Sequence, residues 1–366
     1  MNIGIISENY PESDVLYNSS FVHIRVKEYI KRGYKTVVFR INFHANAEDK
    51  QYVFDKVKVY QGTPEYITEK IKKECITHLS IHMPNFRELN YVKKQHAEKN
   101  ITLTFHGTES VWSSIIYPYD GNFLERITKF LYRITIDLHK RRVLKDFILT
   151  YRPKLIFVSK SWRKYTLDII NIKKVPYKII YNPIDKELFR FRQRNGSLKR
   201  IICMRSHDTR KYALDIIIKM FRNSKYRIDI YGCGRLLPYH KRLAKRYNSN
   251  VKFIEKFYMH KQLGELYREY DLGVMLTRLD AQGVSACEMM QTGLPIITSD
   301  IFGNKEFTEK GCIRIPNDTK IRIDDVLERL NKRSVMMKLS REAHEYMDNK
   351  LDTKKIIEAE LECLKK

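Results

Sequence analysis

In the stretch Asp280-Ala-Gln-Gly283-Val284-Ser285-Ala-Cys-Glu288, two carboxylates flank a glycine turn. Glycine among small residues suits a tight loop opening a helix, whose first N–H groups are unsatisfied and carry partial positive charge, a natural seat for phosphate. Glu288 falls one turn into that helix, where a carboxylate can accept two hydrogen bonds from adjacent hydroxyls such as those of a ribose. Phosphate beside paired hydroxyls is the chemistry of a nucleotide sugar. The plainer reading of Glu288 is an acid balancing the positive end of its own helix.

A second group is cationic. Arg205 and Lys211 lie in Cys203-Met-Arg-Ser-His-Asp-Thr-Arg-Lys211, at an expected strand end and the helix start that follows. An arginine fork and a mobile lysine charge suit adjacent phosphates, and fixed cations are what a departing diphosphate needs. In a chain with 69 Lys and Arg, such a pair taken alone reads as solvated surface. Phe105-His106-Gly107 ends another expected strand, and Gly107 there permits close backbone approach. His78 and His82 read as core or surface side chains rather than metal ligands.

These pieces resemble the retaining glycosyltransferases of family 4, whose Glu-x₇-Glu motif is matched with Asp280 in place of the first Glu and Glu288 in register. Further matches run in the family's order over most of the chain. They include Met1–Ile6, Lys31-Arg-Gly33-Tyr34 before Thr36–Phe39, Thr104–Gly107, Tyr181-Asn182-Pro-Ile-Asp185 with Phe189, and Tyr231-Gly232-Cys-Gly234. The resemblance implies a GT-B fold, an α/β architecture of two Rossmann-like doubly wound domains facing across a cleft. It implies Arg205 and Lys211 as a diphosphate clamp, Asp280 near the donor sugar and Glu288 on the ribose. Gly283, Val284 and Ser285 would meet sugar hydroxyls and the distal phosphate, with Gly232 nearby. On the acceptor side it implies His106, and Glu109, just after it, is expected to help orient the acceptor; in the first loop, which in the family approaches both sugar diphosphate and acceptor, Ser19 and Ser20 are small polar residues that can still line the cleft. That loop, Tyr17–Phe21, lacks the family's glycine-rich turn, and Tyr212 stands where the family has glycine after the lysine, so an ordinary backbone is expected there and Arg210 is a possible substitute for Lys211. No Asp-x-Asp stands at a strand end, so metal independence is expected, with no cofactor beyond the donor.

Around these residues, short β-branched runs alternate with amphipathic segments, the pattern of parallel sheets covered by helices. Expected strands in the first half are Ile3–Ser7, Thr36–Ile41, His78–His82, Thr102–Phe105, Leu155–Ser159 and Lys178–Tyr181. Those in the second are Arg200–Met204, Arg227–Tyr231, Val251–Ile254, Leu272–Leu276, Pro295–Thr298 and Ile313–Ile315. The expected division is an acceptor domain over 1–182, a polar linker over 183–198, a nucleotide-sugar domain over 199–350, and a last helix over 351–366 that crosses back to the first domain.

Length and 43% hydrophobic residues suit two cores. No segment reads as a bilayer span or signal peptide, and six scattered cysteines read as reduced core thiols, so a cytoplasmic protein is expected. The net charge of +26 favours an anionic membrane surface over nucleic acid, since RNA-reading signatures and zinc-finger spacings are absent. Apolar residues recur at helical spacing through Asn122–Thr150 beside seven cations, a basic amphipathic helix that suits either a membrane face or a solvated surface. The expected enzyme is membrane-peripheral, moving a hexosyl or N-acetylhexosaminyl unit to a surface-glycan or lipid-linked saccharide. Competing readings are an NAD-dependent oxidoreductase, for which no Gly-x-Gly-x-x-Gly follows the first strand, a basic nucleic-acid binder, and a non-catalytic scaffold on the same fold.

Overall fold

A computed structural model describes residues 1–12, 19–44, 46–107, 109–117, 123–196, 198–256 and 258–365. Tyr17, Asn18 and Asn122, part of the expectations above, lie outside these. The chain divides into two compact units, one formed by 1–112, 130–183 and 353–366, the other by 113–129 and 184–352.

In the first unit the strands are β1 Asn2–Ser7, β2 Lys35–Ile41, β3 Lys50–Phe54, β4 Val57–Gly62, β5 His78–His82, β6 Asn100–Phe105, β7 Lys154–Phe157 and β8 Lys178–Ile179. They form one sheet ordered β3-β4-β2-β1-β5-β6-β7-β8, parallel except where β3 pairs antiparallel with β4. Continuously apolar strands such as Ile3–Ile6 and Val37–Phe39 are buried, as a sheet with both faces covered requires. The helix Thr353–Lys365 belongs to this unit: Ile357, Leu361 and Leu364 share a core with Ile3, Ile5, Val22 and Val26.

The second unit holds β9 Ile201–Met204, β10 Ile228–Tyr231, β11 Val251–Ile254, β12 Leu272–Met275, β13 Ile296–Ser299 and β14 Cys312–Ile315. All pair in parallel, in the order β11-β10-β9-β12-β13-β14. This is the doubly wound order in which the chain reverses direction across the sheet between its first and fourth strands, and ligands in such sheets sit beyond the carboxyl ends at that switch. Here the switch lies between β9 and β12, whose following loops carry Arg205 and Asp280.

Four features differ from the sequence reading. The hairpin β3–β4 was not expected; its turn uses Asp55 and Lys56, both at positive φ, where glycine or asparagine is the usual signal. Residues 113–129 group with the second unit rather than with 1–182. Residues 184–196 and 198 are no loose tether: Phe189 is buried, and Arg194, 4% exposed, donates to the carbonyls of Tyr267, Tyr270 and Thr292. All six cysteines are free, with Cys203 and Cys287 buried but Cys75 exposed, so the core reading fails for Cys75.

Candidate active site

In the second unit the site is built from two loops tied together. After β9, Arg205 is only 8% exposed. Its Nη2 reaches the Met275 carbonyl at 3.4 Å, its guanidinium carbon stands 4.7 Å from the centre of the Tyr212 ring, and its Nε is buried without a partner. Gly232, at φ 141°, makes this packing possible: a Cβ there would lie 2.1 Å from the Arg205 carbonyl oxygen. Gly232 therefore acts first on the course of the Arg205 loop.

Lys211 sits in a 3-10 turn over Arg210–Tyr212, with its N–H capped by the Thr209 hydroxyl. Tyr212 takes an ordinary conformation as expected, and the left-handed position passes to Ala213 at φ 49°. The Lys211 carbonyl accepts from the Arg278 N–H at 2.7 Å and the Thr277 hydroxyl at 3.0 Å. Arg278 also donates to the Arg210 carbonyl and forks onto Asp215 at 2.9 and 2.8 Å. These bonds hold the loop after β12 against the turn, and Asp280 comes to 3.8 Å from the Lys211 ammonium. Burial, the largest single influence, lowers the lysine pKa, but the Asp280 carboxylate together with Tyr212 and Tyr117 offsets it and holds Lys211 above its ordinary value. Arg210 is exposed, and Lys211, its side chain 15% exposed, is the more enclosed of the two.

The helix Val284–Gln291 starts from Gly283. Val284 donates its N–H to the Gln282 carbonyl. Glu288, one turn in, is 1% exposed; its Oε1 accepts from His260 Nε2 at 2.8 Å, and its Oε2 is buried with no partner. A carboxylate exchanging water for nothing on one oxygen is costly. His260 opens the helix His260–Arg268. Burial would lower its pKa, but the charge and hydrogen bond of Glu288, with a smaller part from Asp185, raise it. Sequence reasoning missed His260; with no spacing relation to Glu288, only pairing in space reveals it.

In the first unit His106 follows β6, and Gly107 has φ 123°. Both ring nitrogens are occupied, Nδ1 at 3.0 Å from Asn182 Oδ1 and Nε2 at 2.9 Å from His82 Nδ1. Burial, with the neighbouring His82 and Arg25, pushes its pKa well below the ordinary value. His82 thus enters the site, where the sequence reading left it in the core or at the surface. Glu109 accepts from the His106 and Gly107 N–H groups at 2.6 and 2.9 Å, so its carboxylate holds this loop. Ser19, at φ 52°, and Ser20 begin the helix Ser20–Lys31, and the ring of the next residue, Phe21, lies 4.6 Å from that of His106. The structure brings Arg205, Lys211, Asp280 and Gly232 together in one unit and His106, Glu109 and the Ser19–Ser20 turn in the other.

The raised pKa of His260 sets a pH dependence. A group whose pKa is higher folded than unfolded contributes stability that is complete below the unfolded value, about 6.5 for histidine, and fades as pH rises through the folded value. The melting temperature of the native protein should exceed that of His260→Gln by a few degrees near pH 5.5, with the gap narrowing as the pH rises above about 6.5. Thermal melts across that range check this; a gap that stays constant would contradict the ion pair.

Residues 185–346 match the family model described as Glycosyl transferases group 1. No curated protein matches the chain. Among solved structures, sucrose-phosphate synthase from Thermosynechococcus elongatus superposes with a TM-score of 0.76 at 13% identity, covering 99% of this chain and 98% of that one. Anabaena HepE, solved in complex with UDP and glucose, gives 0.74 at 12% identity over 100% and 99% of the two chains. The E. coli trehalose-6-phosphate structure bound with UDP-2-fluoro glucose gives 0.70 at 11% over 100% and 99%. Over 185–346 the second unit is thus similar to glycosyl transferases group 1, and the chain, with its two Rossmann-like units, has the GT-B fold.

Proposed function

We propose that the protein is a retaining, metal-independent glycosyltransferase of family 4, moving a hexosyl or N-acetylhexosaminyl unit from a nucleoside diphosphate sugar to a hydroxyl of a surface-glycan or lipid-linked saccharide. The observation that carries this reading is a pair of buried, partnerless polar atoms in one unit, Glu288 Oε2 and Arg205 Nε. One is an acceptor suited to a ribose hydroxyl and the other a donor suited to a phosphate oxygen. The group 1 match over 185–346 and the nucleotide sugars bound by similar folds favour the same ligand.

In this reading the bond from the sugar's anomeric carbon to the diphosphate oxygen breaks as Arg205 and Lys211 neutralise the developing charge. The acceptor hydroxyl attacks from the same face, and its proton passes to the leaving phosphate oxygen, which gives retention. Asp280 keeps Lys211 charged and stands near the donor sugar. The N–H groups of Gly283 and Ser285 face the distal phosphate, while that of Val284 is taken by the Gln282 carbonyl and Val284 lines the same turn. Ser19, Ser20, Glu109 and His106 belong to the acceptor side. Arg205→Ala and Lys211→Ala should each lower transfer and donor hydrolysis by about a hundredfold or more. A radiolabelled-sugar transfer assay on variants shown to be folded by circular dichroism decides this, and near-normal turnover in both would remove the diphosphate role.

The helix Phe123–Tyr151 supports an acceptor carried at a membrane surface. At about 100° per residue, Phe123, Leu124, Ile127, Phe130, Leu131 and Leu138, all exposed, fall in one stripe about 120° wide. Arg126, Lys129 and Arg133 share a flank of it. An exposed apolar stripe with a basic flank, in a chain of charge +26, fits an anionic bilayer surface. Among the described residues no helix is long and apolar enough to cross a membrane. Each cation near an anionic leaflet contributes on the order of 1 kcal/mol, so the protein should sediment with anionic vesicles at low salt, weaken about tenfold or more at high salt, and lose binding when Arg126, Lys129 and Arg133 become Glu. Equal binding to neutral vesicles, or dimerisation without lipid binding, would contradict a membrane face.

A further inference from the structure

Arg25, on the helix Ser20–Lys31, is fully buried, as is its counter-ion Glu360 on the helix Thr353–Lys365. Four of its five donors have partners. Nε meets Glu360 Oε2 at 2.9 Å and Oε1 at 3.2 Å, Nη1 meets the Phe21 carbonyl and Asn182 Oδ1 at 3.0 Å each, and Nη2 meets the Tyr181 carbonyl at 3.0 Å. A guanidinium only donates. The Asn182 side-chain atom facing it must therefore be the oxygen, which settles the orientation of the amide.

The same oxygen lies 3.0 Å from His106 Nδ1, so that nitrogen must carry a proton. His106 Nε2 is then the bare nitrogen and accepts from His82 Nδ1 at 2.9 Å; His82 Nε2 in turn accepts from the Ser80 hydroxyl at 3.2 Å. Starting from one donor-only group, His106 Nδ1 is assigned its proton, and with both rings held neutral by burial each takes a single tautomer. A second proton on His106 would force His82 into its other tautomer, with Nδ1 bare and Nε2 donating to Ser80. The charged and titratable groups around the ring agree. His82 on β5 is buried and neutral, its pKa pushed well below the ordinary value by burial and by Arg25. Arg25 is positive, Glu360 lies behind Arg25, and Glu109 faces the backbone N–H of His106.

We propose that Arg25 is a positioning residue for His106, holding it through Asn182 as the neutral Nδ1–H tautomer, and that Glu360 makes the C-terminal helix part of this support. The proposal rests on the reading of His106 as an acceptor-side group, and it adds that His106 works as a fixed, uncharged ring that neither gives nor takes a proton near neutral pH. A free neutral histidine side chain favours the opposite, Nε2–H tautomer, so the chain from Arg25 has a measurable signature.

Nitrogen-15 NMR of histidine-labelled native protein, with His106 assigned by difference from His106→Phe, should show Nδ1 protonated and Nε2 bare, unchanged from about pH 5.5 to about pH 8.5. Asn182→Asp keeps an acceptor for both Arg25 and His106 but adds negative charge. In that variant the His106 signal should titrate within this range, and kcat should gain a pH limb while the donor KM stays within about twofold. Arg25→Lys, which retains the charge but not the fork, should mix the two tautomers and lower kcat about tenfold or more at unchanged donor KM. An Nε2–H tautomer or a titrating His106 in the native protein would overturn the proposal, as would an unmoved signal in Asn182→Asp. If no variant and no native sample transfers sugar, the glycosyltransferase reading fails while the NMR result still decides the positioning role.

Discussion

Removing an ammonium from water costs several kcal/mol unless a counter-charge and hydrogen bonds replace the lost solvent. Lys211, with its side chain 15% exposed, meets that constraint through Asp280 at 3.8 Å, and much of the second unit's loop geometry serves to keep the two together. Thr277 and Arg278 bond the carbonyls of the 210–211 turn, Ala213 accepts a left-handed backbone to end that turn, and Gly303 lies where a Cβ would come 2.4 Å from the Asp280 carbonyl oxygen. The result is a positive charge held beyond the ends of β9 and β12, beside the buried guanidinium of Arg205. Two cations fixed so close repel each other, and a dianionic diphosphate is the ligand that relieves both.

The first unit handles buried titratable groups differently. Among the described residues its fully buried ion pair, Arg25 with Glu360, is satisfied by carbonyls and an amide, and its histidines at the β5 and β6 ends stay neutral. Charge is concentrated where a phosphate would leave and withheld where a hydroxyl would attack. That division matches the chemistry proposed: electrostatics for the leaving group, fixed geometry for the nucleophile.

Most strands were legible because a parallel sheet buried on both faces demands continuous apolar runs; His78–His82 and Val251–Ile254 match residue for residue. The β3–β4 hairpin was not, since its edge strand alternates exposed residues and its turn is Asp55-Lys56, which carries no glycine signal. The positions of Arg205, Asp280 and Gly232 just beyond strands, and of Lys211 in the following turn, were readable from the sequence, while the roles proposed for them came from the resemblance to family 4. Their partners were not. His260 meets Glu288 across 28 positions, and Arg25 meets Glu360 across 335, and neither pairing has a local pattern. Glu109 shows the converse: its place beside His106 was readable, but not that its carboxylate would be spent on its own loop.

The most direct test of the account is nucleoside diphosphate binding in the absence of added metal. A thermal-shift series with UDP, GDP and ADP, their monophosphates and the bare nucleosides reports binding by mass action. At least one diphosphate should raise the melting temperature by several degrees, its monophosphate less and its nucleoside hardly at all, with the diphosphate shift reduced in Glu288→Gln, whose amide is a weaker acceptor for ribose hydroxyls. Identical, negligible shifts for all nine ligands in the folded native protein would contradict the claim that the second unit is a nucleotide-sugar site.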